Sequence, residues 1–196
     1  MRITGGQAAR RILKAPKGLG VRPTPDLMRQ AVFNSLGMRV AGARVLELFA
    51  GTGALSLEAL SRGAVSTVCV ERSPRHAEIL RQNFTAAGFN PDTFQVRVQD
   101  VFAAIRQLAA AGEQFDLILA DPPYGEKNVG RRSTSLAQQL LDDLQLPGLL
   151  HPSGLLVLGH ARRDTLSLPA QWAEKKLLKH GDNQMRMLAV NSPPPG

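Results

Sequence analysis

Arg44-Val45-Leu46-Glu47-Leu48-Phe49-Ala50-Gly51-Thr52-Gly53-Ala54-Leu55 is the stretch whose reading decides the fold. It starts as an apolar run of strand type and passes directly into a Gly-x-Gly turn. Ala54 to Ser61 follows with helix-forming composition, and Leu55, Leu57, Ala59 and Leu60 are available for packing. Strand, glycine turn and helix open a nucleotide-binding βαβ unit, in which glycines let the backbone approach a ligand and the helix start offers N–H groups. Ser56 stands where a dinucleotide fingerprint has its third glycine, and Glu47 on the strand would repel a pyrophosphate. A carboxylate beside a glycine turn suits a cationic ligand that carries an amine, and S-adenosylmethionine is such a ligand. On its own, the glycine pattern fits a turn in an unrelated α/β protein equally well.

Downstream, the same alternation of apolar runs and helical segments continues. Ser66 to Glu71 reads as a second buried strand ending in an acid, and Glu71 lies twenty residues after Gly51. That is near the spacing of about 20 residues at which an acid meets the ribose hydroxyls. Pro74 to Ala87 is the next helix, stopped by Gly88, and Phe94 to Val98 is the third strand. Asp100 beyond it could meet the amino group of an adenine or cap the helix 101–111. Phe115 to Ala120, the fourth strand, delivers Asp121-Pro122-Pro123-Tyr124-Gly125. Two prolines fix φ and remove two backbone donors, leaving a rigid platform of acceptors beside an aromatic ring. Such a platform fits an amino group on a planar base. A plain proline turn would explain the rigidity but not the flanking Asp121 and Tyr124.

The loop from Glu126 to Ser135 holds Lys127, Arg131 and Arg132, which could clamp phosphates or be merely solvated. Leu136 to Leu150 reads as one helix, and Gly154 to Gly159 as the fifth strand. Trp172 to Lys179 and Met185 to Val190 form an expected closing hairpin around Gly181-Asp182-Asn183, and residues 192–196 an expected disordered tail.

The chain of 196 residues, 43% hydrophobic and 20% charged, is enough for one domain with an appendage. No run has the length of a membrane span and no signal-type start is present, so the sequence reads as cytoplasmic. Cys69, the single cysteine, lies in an apolar strand and reads as a buried inert thiol. The four histidines lack ligand spacing, so no metal is expected. Methionines and Trp172 read as packing residues.

The net charge of +8 has a location: residues 1–44 carry nine basic side chains and one acid, whereas the remainder carries 15 of each sign. A neutral body with a basic arm fits a polyanionic partner, and a solvated tail is the alternative. Glycines and prolines in residues 1–24 favour loops or a short hairpin. Thr24-Pro25-Asp26 reads as a helix start with Thr24 as cap. Leu27, Ala31, Val32 and Leu36 are its apolar face, and Gly37 its end.

Taken together, Glu47-Leu-Phe-Ala-Gly-Thr-Gly53, Glu71, Asp100 and Asp121-Pro-Pro-Tyr124 resemble the class I adenosylmethionine-dependent methyltransferases. Arg2-Ile-Thr-Gly-Gly6, Arg22-Pro-Thr-Pro-Asp26, Phe33-Asn34, Leu36 and residues 51–63 resemble, within that class, the bacterial 16S ribosomal RNA guanine-N2 methyltransferases. The resemblance implies an α/β Rossmann-like sheet, mostly parallel with a C-terminal antiparallel hairpin and flanked by helices, plus a small basic N-terminal extension. Residues 1–43 would be the RNA-binding extension and helix, 44–191 the catalytic domain. It implies cofactor binding by Glu47, Phe49, Ala50, Gly51, Thr52, Gly53, Glu71, Arg72, Asp100 and Val101. It implies catalysis by Asp121, Pro122, Pro123 and Tyr124, with the amine bonded to Asp121 and the Pro122 carbonyl and the base stacked on Tyr124. RNA would be held by Arg10, Arg11, Lys14, Lys17, Arg22, Thr24, Arg29, Lys127, Arg131 and Arg132. The implied partner is ribosomal RNA, within an assembling small subunit or naked, and the enzyme is expected to be monomeric. Gly159-His160 departs from the acid expected after the fifth strand. The rival readings are an amino-methyltransferase of DNA adenine or another RNA, and a non-catalytic RNA-binding protein on the same fold.

Overall fold

The computed structural model describes residues 1–15, 24–124 and 131–191. Lys17, Arg22, Lys127 and the expected tail lie outside the described residues. Seven strands form one sheet in the order β3-β2-β1-β4-β5-β7-β6. They are β1 (Arg44–Leu48), β2 (Ser66–Glu71), β3 (Phe94–Val98), β4 (Phe115–Ala120), β5 (Leu150–Ala161), β6 (Trp172–His180) and β7 (Asn183–Val190). The first five are parallel neighbours, and β7 pairs antiparallel with both β5 and β6. The helices are α1 (Asp26–Leu36), α2 (Ala54–Ser61), α3 (Pro74–Ala87), α4 (Val101–Ala110) and α5 (Leu136–Asp142).

Side chains alternate across a strand, and here both faces are covered, so the strands read as unbroken apolar runs. Val45, Leu117, Leu119, Leu155 and Val157 pack with α1, α2 and α3. Leu46, Leu48, Ile118, Ala120, Leu156 and Leu158 pack with α4 and α5. By the same alternation, Glu47, Asp121 and Gly159 fall on the α1–α2 side. β2 and β3 lie to one side of β1 and β4 to the other, so the strand order reverses between β1 and β4. Open parallel sheets bind ligands beyond the carboxyl ends of the strands at such a switch point.

The first residues form a short hairpin, with Arg2 and Ile12 in an antiparallel bridge and Leu13 N–H donating to Met1 O at 3.0 Å. It lies flat on α2. Gln7 N–H donates to Ser61 O at 2.7 Å, Ala8 N–H to Ser61 Oγ at 2.9 Å, and Thr4 N–H to Glu58 Oε2 at 2.7 Å. Gly6, at φ 77°, has no room for a side chain because a Cβ would run into the Ser61 carbonyl.

Several expectations need correction. Thr24 does not cap α1: Pro25 holds the cap position without a side-chain bond. Met28, Arg29, Val32, Phe33 and Leu36 form the buried face, and Leu27 is 62% exposed. α5 stops at Asp142 because the Asp143 carboxylate accepts from Gln145 and Leu146 N–H and starts a turn. Strand β5 is longer than expected at both ends. Met38 is 86% exposed, unlike Met28, Met185 and Met187, whereas Trp172 is buried and donates to Leu141 O at 2.9 Å.

Candidate active site

The turn after β1 supplies the first half of the site. Phe49 sits at φ 57°, uncommon for a side-chain-bearing residue, and Gly51 and Gly53 at φ 54° and 75°. The two glycines serve different ends. A Cβ on Gly53 would press on Leu80 and Phe84 of α3 at 3.0 Å, so this glycine brings helix and turn together. A Cβ on Gly51 would meet only the Phe49 carbonyl, at 3.9 Å, so the space over that residue is open to a ligand. Ala50 and Thr52 are buried, and Ala50 N–H donates to Val70 O at 2.9 Å.

Glu71 ends β2 beside this turn. Its Oε2 accepts from Gly51 N–H at 2.8 Å and its Oε1 from Ser73 N–H at 2.7 Å, with His76 Nδ1 at 3.6 Å. Each carboxylate oxygen keeps acceptor capacity for a ribose hydroxyl. Asp100 is exposed and caps α4, its Oδ1 accepting from Phe102 and Ala103 N–H at 3.0 and 3.1 Å. Capping leaves Oδ2 for an amino group, so the two readings of Asp100 are compatible. Val101 is buried at the start of α4, and Arg72 is exposed. Open space over Gly51, two strand-end acids and the start of a helix fit the ribose and amino groups of adenosylmethionine.

Glu47 was expected to face the ligand's amine, and its placement is different. The carboxylate is 3% exposed and accepts from Leu55 N–H at 3.2 Å and Ser56 N–H at 3.0 Å, closing the first turn of α2. Burial pushes its pKa up to about 7, against these bonds, and the nearby Asp121 charge adds to the rise. Cys69 lies behind it, wholly buried, its thiol pushed up by burial and by Glu47.

Asp121 follows β4 across the switch point from Phe49, since Leu48 pairs with Ala120. Its Oδ2 accepts from the Thr24 hydroxyl, 97 residues away. Its Oδ1 is buried and makes no hydrogen bond among the described residues. Burial pushes Asp121 up to about 6, and the Thr24 bond works against that. Gly159, not an acid after the strand but a residue within β5, lies opposite: a Cβ there would collide with Oδ1. The absent side chain makes room for the carboxylate. His160, on the other face, takes a bond from Arg186 Nε at 3.1 Å, and burial lowers its pKa. Pro122 is buried and Pro123 exposed. The Tyr124 hydroxyl donates to Asn183 Oδ1 at 2.6 Å.

The residues expected on RNA separate into two groups. Arg10, Arg11, Lys14, Arg131 and Arg132 are exposed. Arg11 Nη1 donates to Ala86 O, Lys14 Nζ to Gln82, and Arg132 pairs with Asp142 at 2.6 Å. Arg29 is a correction. It is fully buried and donates to Thr24 O at 2.7 Å, to Asp26 at 2.8 Å and to Arg2 O, so its charge holds the arm and α1 together instead of meeting phosphate. Thr24, 6% exposed, likewise turns inward. A cleft of about 480 Å³ between hairpin and α1 is lined by Arg2, Thr4, Arg10, Asp26, Leu27 and Gln30, apart from the turn and the platform.

Sequence reasoning missed Asn83 and Asn183, and it marked Gly159 as a departure without the reason that Asp121 needs its space. Asn83, 1% exposed, donates to Thr52 O and Lys14 O at 3.0 Å and accepts from Lys14 N–H at 2.8 Å. A polar residue at a core position of α3, between Leu80 and Phe84, was the available signal.

Known proteins place this architecture. The family described as "Conserved hypothetical protein 95" matches residues 1–189. The Escherichia coli (strain K12) protein named Ribosomal RNA small subunit methyltransferase D is 32% identical over 174 residues, 88% of this chain and 81% of that protein. The Bacillus subtilis (strain 168) protein YlbH is 33% identical over 162 residues, 83% of each. Among solved structures, the Thermus thermophilus protein TTHA0928 superposes with a TM-score of 0.79 at 31% identity, covering 97% of this chain and 99% of that one. From its first residues to the last strand of its sheet, the chain belongs to the Conserved hypothetical protein 95 family, together with the small subunit methyltransferase D of Escherichia coli.

Proposed function

We propose that the protein transfers a methyl group from S-adenosylmethionine to the exocyclic N2 amine of a guanine in small-subunit ribosomal RNA. The observation that carries this reading is the placement of Asp121-Pro122-Pro123-Tyr124 across the switch point from the open glycine turn. Gly51, Glu71 and Asp100 would hold the cofactor, whose sulfonium supplies an electrophilic methyl group when bound.

An exocyclic amine is a weak nucleophile because its lone pair is delocalised into the base. Bonds from its N–H groups to Asp121 and the Pro122 carbonyl favour a pyramidal nitrogen with the lone pair directed outward. With a pKa near 6, Asp121 is largely ionised at neutral pH and accepts such a bond. Tyr124 offers its ring to the base, and the tether to Asn183 limits its swing. What remains is an in-line displacement whose rate depends on positioning. The guanine must be unpaired or flipped out to reach the platform. The exposed arginines and lysine of the hairpin support an RNA contact, and a partly assembled small subunit, met by one copy of the enzyme, is the substrate we favour.

Tritium transfer from labelled cofactor tests the reading, with naked small-subunit RNA and assembling particles compared and the product nucleoside identified. Label in N2-methylguanosine is expected. Label in methyladenosine, or in DNA only, would select a rival reading.

A further inference from the structure

We propose that Thr24, in the N-terminal segment, is a positioning residue of the methyl-acceptor site: its hydroxyl fixes the Asp121 carboxylate, making the arm part of the catalytic centre as well as a handle for RNA. The inference rests on the reading of Asp121 as the group that accepts from the target amine.

Three contacts build the device. The Thr24 hydroxyl donates to Asp121 Oδ2 from a residue 6% exposed, in a buried setting where an unmade bond is costly. Thr24 is itself held from behind: its carbonyl accepts from Arg29 Nη1 at 2.7 Å, and the same guanidinium bonds Asp26 and the Arg2 carbonyl. On the other side, Gly159 leaves the room that Oδ1 occupies. Rotating the carboxylate would strand the Thr24 hydroxyl or drive an oxygen against β5. One end of the chain therefore sets the direction of a side chain 97 residues later.

The bond also bears on ionisation, because the charged carboxylate accepts from the amine more strongly than the neutral acid does. Burial raises the Asp121 pKa and the Thr24 donor lowers it. Among the described residues, Glu47 on β1, itself pushed up to about 7, interacts with it by charge, and Arg29 stands behind Thr24. β5 and β7 bring the uncharged Gly159 and Met185. Losing the donor raises the Asp121 pKa, so the acid limb of the rate profile moves to higher pH.

The test compares wild type, Thr24→Val, Thr24→Ser, Asp121→Asn and the double variant Thr24→Val/Asp121→Asn on the RNA that wild type methylates. Thr24→Val should lower kcat roughly ten- to a hundredfold, the range for losing a bond to a charged group. Its KM for RNA and Kd for adenosylmethionine should stay within about twofold of wild type, since no contact to either is removed. Its acid limb should shift upward, and Thr24→Ser should restore both rate and profile. The double variant should be no slower than Asp121→Asn alone. Thr24→Ala replaces Thr24→Val if the latter fails to fold. An unchanged kcat, a loss confined to RNA KM, or a serine variant as slow as valine would overturn the inference. If Asp121→Asn itself keeps full turnover, the reading of Asp121 fails first. If Asp121→Asn is slow and Thr24→Val is not, only the role of Thr24 fails.

Discussion

The Tyr124 hydroxyl and the Asn183 side-chain oxygen lie 2.6 Å apart, fastening the aromatic end of the platform to the first residue of β7. Ring and hydroxyl thus have separable tasks. Tyr124→Phe keeps the stacking surface and loses the tether, so turnover should fall only a few-fold, on the order of one neutral hydrogen bond. Tyr124→Ala removes the surface and should cost roughly a hundredfold, from lost stacking of about 1–3 kcal/mol together with lost orientation. Asn183→Ala should behave like Tyr124→Phe. Single-turnover rates at saturating cofactor check this, and equal damage from Phe and Ala would assign the effect to the hydroxyl.

Gly159→Ala places a methyl group where Asp121 Oδ1 now lies. The carboxylate must turn away, and turnover should drop at least about tenfold, since sub-ångström misplacement is felt strongly in positional catalysis. Cofactor affinity, measured by calorimetry, should be preserved because Gly51, Glu71 and Asp100 are untouched. A variant with wild-type turnover would show that Asp121 need not occupy this place.

Glu47 makes stability depend on pH. Its folded pKa of about 7 lies above the ordinary 4.5, so the unfolded chain loses its proton first as pH rises. Stability conferred by the protonated, buried carboxyl is full below about 4.5 and falls as pH climbs toward 7, by a few kcal/mol in order of magnitude. Asp121, raised to about 6, pulls in the same direction. Denaturant melts of the ligand-free protein between pH 5 and pH 8, run alongside Glu47→Gln, measure this contribution. The variant should lose less stability across that window, and parallel curves would show that Glu47 titrates normally.

Phosphate contacts release counterions, so RNA affinity should fall steeply with salt. Replacing Arg10, Arg11, Lys14 and Lys17 by neutral residues should flatten that slope and raise the RNA KM. Arg29→Met should act differently, leaving the slope nearly unchanged while lowering the melting temperature. The buried Thr24 carbonyl would lose its donor, at about 1–3 kcal/mol, and the more exposed Arg2 carbonyl would lose its bond as well. Coincident slopes for wild type and the fourfold variant would move the RNA contact to Lys127, Arg131 and Arg132.

Local pattern carried most of the sheet. β1, β2, β3 and β4 begin and end where their apolar runs do, and α3 ends at Gly88, which has the left-handed conformation such a stop requires. Three acids, Glu71, Asp100 and Asp121, could be placed at strand ends because a parallel strand delivers whatever follows it to the same edge of the sheet. Contacts between distant segments were not legible. Thr24 looked like a cap because capping chemistry is local, whereas its partner is on the far side of β4. Arg29 looked like a phosphate ligand because charge is visible in a sequence and burial is not. Leu27 and Met28 are equally apolar, and only the docking of the hairpin and α2 decides which one turns inward. Glu47 showed its spacing from the glycines but not that α2 would claim both oxygens.

The Asn83 amide holds the backbone of Lys14 with two bonds and the backbone of Thr52 with a third. A single side chain therefore stands between the N-terminal arm, which we propose meets RNA, and the glycine turn, which we propose holds the cofactor. Linkage between two binding events is reciprocal. If filling the turn changes the affinity of the arm by some factor, clamping the arm changes the affinity of the turn by the same factor. RNA affinities measured with and without the cofactor would then read out whether Asn83 transmits anything between the two segments.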